Sequence, residues 1–467
     1  MRRAVPLLVS LVLILAACGP NASNSASPTT GSTVAPPASG SAPAESQAPL
    51  TASGDIFAYG FAYETGDIIA KTRADVFKDK YPDVKVTYSE SGFDDQKFLA
   101  ALAGSDKPDA VNLPRNKIGT YIAQGVLEPL DDCIAKTGFD TSVFYDAAKA
   151  DVTVDGKMYA FPEFYNTRNW IINNKAFKDA GIDPNSLNWG DWDAIAQANQ
   201  KLVKKDGDKI TRIGIDPKIP EFLPLWVKAD GGSVMSDDGK TSQLDSQQTI
   251  DAVKYTTDLV KAQGDPTKWL DFRNTWDFFG AKNQVASDQV GAWPMEQWYL
   301  NVLAQNSPDV DITVKPFMTK DGQPITYEDG NAWAIVKGTD NPDAACALAS
   351  TMVATDTWVA AAKARAEDAK SKNKPQTGVY TGNRDADKII FDQYVDLSSM
   401  PVFEAAVKAV LDNQENAFGT APSPGAAGFQ TAMTAGVNQV LSGSATPEDA
   451  MKAAQQDAQD AIDSAGS

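Results

Sequence analysis

No histidine occurs anywhere in the 467 residues. That absence removes the commonest general base, the Ser-His-Asp and Cys-His nucleophile systems and the histidine zinc sites. The chain therefore reads as a binder and not as an enzyme. Cysteine is scarce as well, at three residues, too few for a disulfide-dense scaffold. Positive charge is in deficit: 42 Lys and Arg face 61 Asp and Glu, for a formal net charge of -19. A surface of that sign repels nucleic acid and anionic lipid, so neither is an expected partner. No cofactor and no metal is expected. The acidic stretch DDGKTSQLD (237–245) lacks the regular spacing of an EF-hand loop.

What is present is an ordinary globular balance, 43% hydrophobic and 22% charged. At roughly 150 residues per domain the length suggests two or three compact units. The chain opens MRRAVPLLVSLVLILAACGP: two arginines, an apolar run from Val5 to Ala17, then Cys18. A charged start, a short apolar stretch and small residues at its end describe an export signal, too short for a comfortable membrane span. Leu15-Ala16-Ala17-Cys18 resembles the bacterial lipoprotein signal. That resemblance implies a signal peptide over 1–17 and Cys18 as the lipidated (palmitate-bearing) mature terminus. The following stretch is Ser, Thr, Ala, Pro and Gly with one charge, Glu45. It cannot bury enough apolar surface to offset its ordering entropy, so 18–53 is expected to be a disordered, lipid-anchored linker. The folded part would then lie outside the cytoplasmic membrane, touching it only through the lipid. Cys133 and Cys346 would sit where a disulfide is permitted, and the sequence leaves open whether they bond or stay two separate thiols.

Order is expected from Gly54. DIFAYGF (55–61) reads as a buried strand. TGDIIAKTRADVFKDKY follows, with Ile68, Ile69, Thr72, Val76 and Phe77 near helical spacing; Pro82 stops it, and VKVTYSE (84–90) alternates as a strand. Two strands around a helix make a βαβ unit with parallel strands. FDDQKFLAALAG (93–104) reads as a helix, PDAVNL as a strand, KIGTYIAQG as a helix, and KMYAFPEFY and NWIINN as strands. Such alternation gives an α/β architecture with helices on both sheet faces. Later helices fall at 246–264 and 341–354, and a closing helix starts with Thr446 as N-cap and Pro447 at its first position.

Several of these segments, in order, resemble the family-one extracellular solute-binding proteins that serve ABC sugar importers, the maltose-binding-protein class. KFLAALAGSDKPDAV, GTYIAQGVLEPLDD, DGKMYAFPEFYNTRNWIINNKAFKDAGID, LWVKADGGSV, FFGAKNQVASDQVGAWPMEQW, GNAWAIVKGTDNPDAACALAS and LSGSATPEDAMKAAQQDAQ carry the likeness. It implies a two-lobed clamshell with hinge crossings, closing on one ligand. The N-terminal lobe would take 54–162 and 325–385, and the C-terminal lobe 163–324 and 386–467. The expected partners are a small carbohydrate and the permease subunits of an ABC transporter, with the protein itself a monomer.

In α/β sheets ligands lie beyond the carboxyl ends of the strands. VASDQVGA reads as a strand and Pro294 suits the first turn of a following helix, which puts Trp293 at a strand's carboxyl end. Its counterpart in the resembled family stacks on sugar, whose C–H face packs well on an indole. Trp298 and Tyr299 fall further along and read as packing. The same rule selects Phe61, Tyr63 and Glu64 after the first strand and Asn112, Arg115 and Asn116 after the third. It also selects Tyr165, Asn166 and Arg168 near the lobe crossing and Asn331 and Trp333 at the late strand. Trp226, before Gly231-Gly232, would wall the cleft, and Arg168 could hold a hydroxyl pair or an acidic sugar with its planar fork. Two rival readings remain. One is a carboxylate-based carbohydrate-active enzyme, yet Asp94-Asp95, Asp131-Asp132 and Asp237-Asp238 are neighbours whose side chains diverge, as in caps and turns. The other is a binder of a polyamine, peptide or oxyanion; Glu64, Glu328 and Asp329 could face a cation.

Overall fold

The strand Gly54–Tyr59 pairs in parallel with Val84–Tyr88, and the helix Ile68–Lys80 joins them, as the hydrophobic spacing predicts. Asp67 sets the start of that helix, its Oδ1 accepting from the amides of Ile69 and Ala70. The structure, a computed structural model, describes residues 50–63, 66–104 and 107–466. The expected signal peptide, Cys18, most of the linker and Glu64 lie outside the described residues. At the linker's end, Leu50 and Ala52 already pack against the first core.

Two sheets carry the fold. The first has five strands in the order Val84–Tyr88, Gly54–Tyr59, Ala110–Pro114, Asn331–Ile335, Ala160–Pro162, and Asn331–Ile335 runs antiparallel to both its neighbours. The second has eight strands and is built around Asn166–Asn173. Val290–Glu296 lies antiparallel to that strand on one side, followed by Lys209–Ile215 in parallel with Val290–Glu296. Ile312–Lys315 and Pro324–Asp329 take the other side. These are the two lobes of an α/β clamshell, and the chain crosses between them at 163–165, at Gly330 and a third time between the helices Thr355–Ser371 and Pro401–Asn413.

Strand alternation sorts the second lobe into two cores. Trp170 and Ile172 face one way, into a cluster with Trp226, Leu223 and Phe317; Ile171 faces the other, with Trp293, Tyr299 and Leu303. Successive side chains of a strand point to opposite faces, so a strand buried on both sides reads as an unbroken apolar run. In the first lobe, Phe77, Phe98, Leu113, Phe161 and Trp333 fill one core. Cys133 and Cys346, left open by the sequence, form a disulfide that joins the helices Asp131–Thr137 and Pro342–Met352 with Cα atoms 5.5 Å apart. The adjacent acids act as expected of caps and turns. Asp94 caps the helix Asp95–Ala103, and Asp238 closes a turn with Ser236 and the Lys240 amide.

Near the crossings a helix, Arg384–Gln393, buries Asp387 one turn from its start. Its Oδ1 accepts from the amide and hydroxyl of Thr381, and Oδ2 accepts from the Tyr145 hydroxyl. Burial outweighs those bonds and pushes the carboxyl up to about 7. The folded chain therefore keeps a proton that the unfolded chain releases near pH ~4. This group's contribution to stability falls as pH rises from that value to about 7 and is flat above, a span of up to ~4 kcal/mol. Asp387→Asn should flatten the decline in denaturant midpoint between pH 4.5 and 7; an unchanged slope would exclude Asp387 as its source.

Candidate functional site

Strand direction determines which edges meet. Asn166–Asn173 leaves the crossing and runs into the second lobe, so its antiparallel neighbour Val290–Glu296 returns toward the crossing and ends there. Lys209–Ile215, parallel to Val290–Glu296, ends on the same side. In the first lobe, Asn331–Ile335 leaves the crossing while its antiparallel neighbours Ala110–Pro114 and Ala160–Pro162 end beside it, Pro114 and Pro162 opposite Asn331 and Ala332. The carboxyl ends of the principal strands of both lobes thus converge on one gap, the usual place for a ligand in α/β sheets.

The first-lobe side of that gap is a pocket of about 210 Å³ with both apolar and polar lining. Phe61, Asn112, Glu163, Phe164, Asn331 and Arg73 are among its lining residues. Glu163 organises it. Its carboxylate accepts from Asn112 Nδ2 at 2.6 Å and from Trp333 Nε1 at 3.1 Å, and pairs with Arg73 at 2.5 Å. Asn331 Nδ2 in turn donates to Asn112 Oδ1 at 3.1 Å. Arg73 lies over Trp358, its Cζ 4.0 Å from the ring centre, and both members of the Arg73–Glu163 pair are about 1% exposed. Within a partly apolar lining, the pocket thus carries a carboxyl and two amides locked in place, a few preorganised polar groups of the kind that orient a ligand.

The floor at the crossing is ionic. Arg115, fully buried, pairs with Glu328 and, through Nε at 3.2 Å, with Asp151; its Nη1 donates to the Phe164 carbonyl at 2.5 Å. Burial pushes the carboxyls of Asp151 and Glu328 up, with Arg115 acting against it. Arg168 pairs with Asp329 at 2.6 Å and Glu296 at 3.1 Å, its guanidinium between the rings of Phe222 and Tyr327. These arginines serve the crossing itself, and their forks are already occupied by carboxylates.

The second-lobe side is aromatic. Trp298 follows the end of Val290–Glu296 by two residues, half-buried, and Gln297 ties that point to the crossing by donating to the Tyr165 carbonyl and accepting from the Thr167 amide. Phe279 lies over Trp298, with ring centres 6.2 Å apart and planes 15° apart, and is 66% exposed. Phe278 packs beneath it, near Lys218, which follows the end of Lys209–Ile215.

The predicted residues fall as follows. Phe61, Asn112 and Asn331 line the first-lobe pocket, with Trp333 beneath it against Phe61 at 5.1 Å. Tyr63 stacks on Tyr88 beside Phe61, and Asn116 is exposed on the turn Arg115–Lys117. Asn166 bonds Asp329 at the crossing, and Tyr165 is buried in a stack on Tyr145. Trp226 is fully buried in the second lobe, its Nε1 donating to the Pro217 carbonyl, so it packs a core and does not wall the gap. The strand containing Trp293 needs correction. It runs to Glu296 and the helix starts only at Tyr299, so Pro294 is a strand residue opposite Trp170 and not a helix start. Trp293 consequently lies mid-strand, 0% exposed, edge-on to Tyr299 inside the core. Glu163, Arg73, Phe279 and Trp298 were not selected from the sequence. The carboxyl-end rule does point to Glu163 and Trp298 once the strand ends are placed at Pro162 and Glu296.

Residues 61–366 match the family described as bacterial extracellular solute-binding protein. An arabinooligosaccharide-binding protein of Halalkalibacterium halodurans is 23% identical over 245 residues, 50% of this chain and 52% of that protein. The match thus spans about half the length of such curated relatives. Among solved structures, CpMnBP1 with mannotriose bound superposes with a TM-score of 0.69 at 22% identity, covering 86% of this chain and 99% of that one. An ABC substrate-binding protein of Listeria monocytogenes in complex with cycloalternan gives 0.67 at 21% identity, covering 88% and 99%. With a family match over most of its folded length, and the clamshell to go with it, the chain belongs to the bacterial extracellular solute-binding proteins.

Proposed function

We propose that the protein captures a sugar or oligosaccharide between its two lobes and delivers it to the permease of an ABC transporter. The observation that carries this reading is the pairing of two unlike walls across one gap. An exposed Phe279 stacked on a half-buried Trp298 stands on the second lobe, and a pocket holding the fixed carboxyl and amides of Glu163, Asn112 and Asn331 stands on the first. A pyranose has the matching chemistry, with an apolar C–H face for an aromatic ring and hydroxyls for amides and carboxylates. Trp298 takes the platform role that its position at the strand end supports, and Trp293 supports it from the core. In this reading the protein binds and releases its ligand without transforming it. The lobe boundary falls at Gly330, because Pro324–Asp329 pairs with the second sheet and Asn331–Ile335 with the first. Lipidation at Cys18 and a linker ending before Leu50 would hold the clamshell at the outer face of the cell membrane.

A thermal-shift panel tests the reading. A ligand at 100 times its dissociation constant adds ~2.7 kcal/mol of stability. Arabino-, manno- and maltotriose are the first probes. A rise in Tm with at least one sugar is the expected result. A response confined to polyamines or peptides would overturn it.

A further inference from the structure

The described part of the chain contains seven arginines, and six of them hold a carboxylate: Arg73, Arg115, Arg168, Arg212, Arg273 and Arg384. Arg365 is the exception, with no ion pair and no hydrogen bond among the described residues. It is not a freely solvated surface residue either. It sits half-buried on the helix Thr355–Ser371, in a groove of about 490 Å³ that Ile69, Asp368 and Lys372 also line. Gln305 of the second lobe forms the opposite bank, so the groove lies between the lobes. Asp67 and Ile69 line both this groove and the Glu163 pocket, so the two spaces are neighbours at the start of the helix Ile68–Lys80.

The local charge is unusual for a chain of net charge -19. Lys374 is exposed at the same groove, and Lys372 is engaged with Asp368 at 2.8 Å. Asp67 spends one carboxylate oxygen on its helix cap. Burial lowers the pKa of Arg365, with the charge of Asp67 acting in the opposite direction. A guanidinium is ionised at any working pH, and this one, partly desolvated, has only the nearby charge of Asp67 and no ion pair among the described residues, which leaves its fork able to take an anion. Its fork fits a carboxylate or phosphate in two parallel bonds.

We infer that the gap continues past Asp67 into an anion-recognising subsite at Arg365 and Lys374, so the preferred ligand is a glycan bearing a carboxylate or phosphate. This rests on the sugar reading above and narrows its ligand class. Uronic acids and sugar phosphates offer the same chemistry, and the probes separate them.

Titration calorimetry at low salt would compare each neutral triose with the same sugar ending in a uronic acid and with its terminal 6-phosphate, for wild type, Arg365→Gln and Lys374→Gln. Wild type should bind one acidic form at least tenfold tighter than its neutral parent. Arg365→Gln should erase that preference while leaving neutral affinity within about twofold, and Lys374→Gln should reduce it with a shallower salt dependence. The tighter of the uronate and phosphate forms names the source of the anion. Equal wild-type affinity for neutral and acidic forms overturns the subsite alone and leaves the sugar reading standing. Equal weakening of both by Arg365→Gln, with Tm unchanged, also overturns it, since the arginine would then act on lobe closure. Absence of any sugar binding in wild type removes the parent reading together with it.

Discussion

Trp298→Ala should weaken sugar binding by roughly 30-fold, the loss of about 2 kcal/mol typical of a central aromatic contact, with little change in folding stability. Trp293→Ala should do the reverse. The first side chain is half-buried at a strand end with one face covered by Phe279; the second is sealed in the core against Tyr299. Truncating a fully buried tryptophan removes its transfer free energy and leaves a cavity, typically about 3–5 kcal/mol. Titration calorimetry and denaturant unfolding of both variants, side by side, separate the two roles. If affinity follows Trp293 at matched stability and Trp298 is neutral, the platform is misplaced.

The second large effect belongs to Glu163. Glu163→Ala strands the buried Arg73 charge and takes the acceptor from Asn112 and Trp333. Breaking a buried pair from one side costs about 3–5 kcal/mol, because the survivor remains desolvated. The double variant Arg73→Met with Glu163→Leu should recover much of that stability, since two apolar groups need no partner. It should still bind sugar poorly, because Asn112 loses the bond that orients it. Unfolding and binding measured on the single and double variants give the answer; a double variant no more stable than Glu163→Ala would show that the pair is not the source of the cost.

Much of the architecture was legible because it depends on local pattern. Helical spacing from Ile68 to Phe77, the alternation of Val84–Tyr88 and the Thr446-Pro447 start all fold as they read. Part of the candidate first-lobe pocket was also legible, since Phe61, Asn112 and Asn331 lie in or just beyond strands and line it. The second-lobe wall was not. Pro294 looked like a helix start, but pairing with Asn166–Asn173 holds the strand extended to Glu296, and a tertiary constraint of that kind leaves no trace in a window of a few residues. The helix starts at Tyr299, five residues beyond Pro294, and the proposed platform moves with the strand end from Trp293 to Trp298. Glu163 was passed over for a related reason. Its partners Arg73, Asn112 and Trp333 lie far apart in sequence, and only the fold brings them to one carboxylate. Nor could spacing bring Cys133 to Cys346.

Between the strands Pro324–Asp329 and Asn331–Ile335 stands one residue, Gly330. A Cβ there would meet the Phe164 carbonyl oxygen at 2.1 Å and Arg115 Nη1 at 2.6 Å. One strap of the clamshell's hinge is thus a bare backbone unit with Asn331 as its immediate neighbour, while Gln297 tethers Trp298 to the strap at 163–165. Points next to a hinge travel least when the jaws swing. The innermost sugar ring would therefore find its contacts in place while the jaws still gape, and the remoter groups would arrive afterwards as the angle narrows.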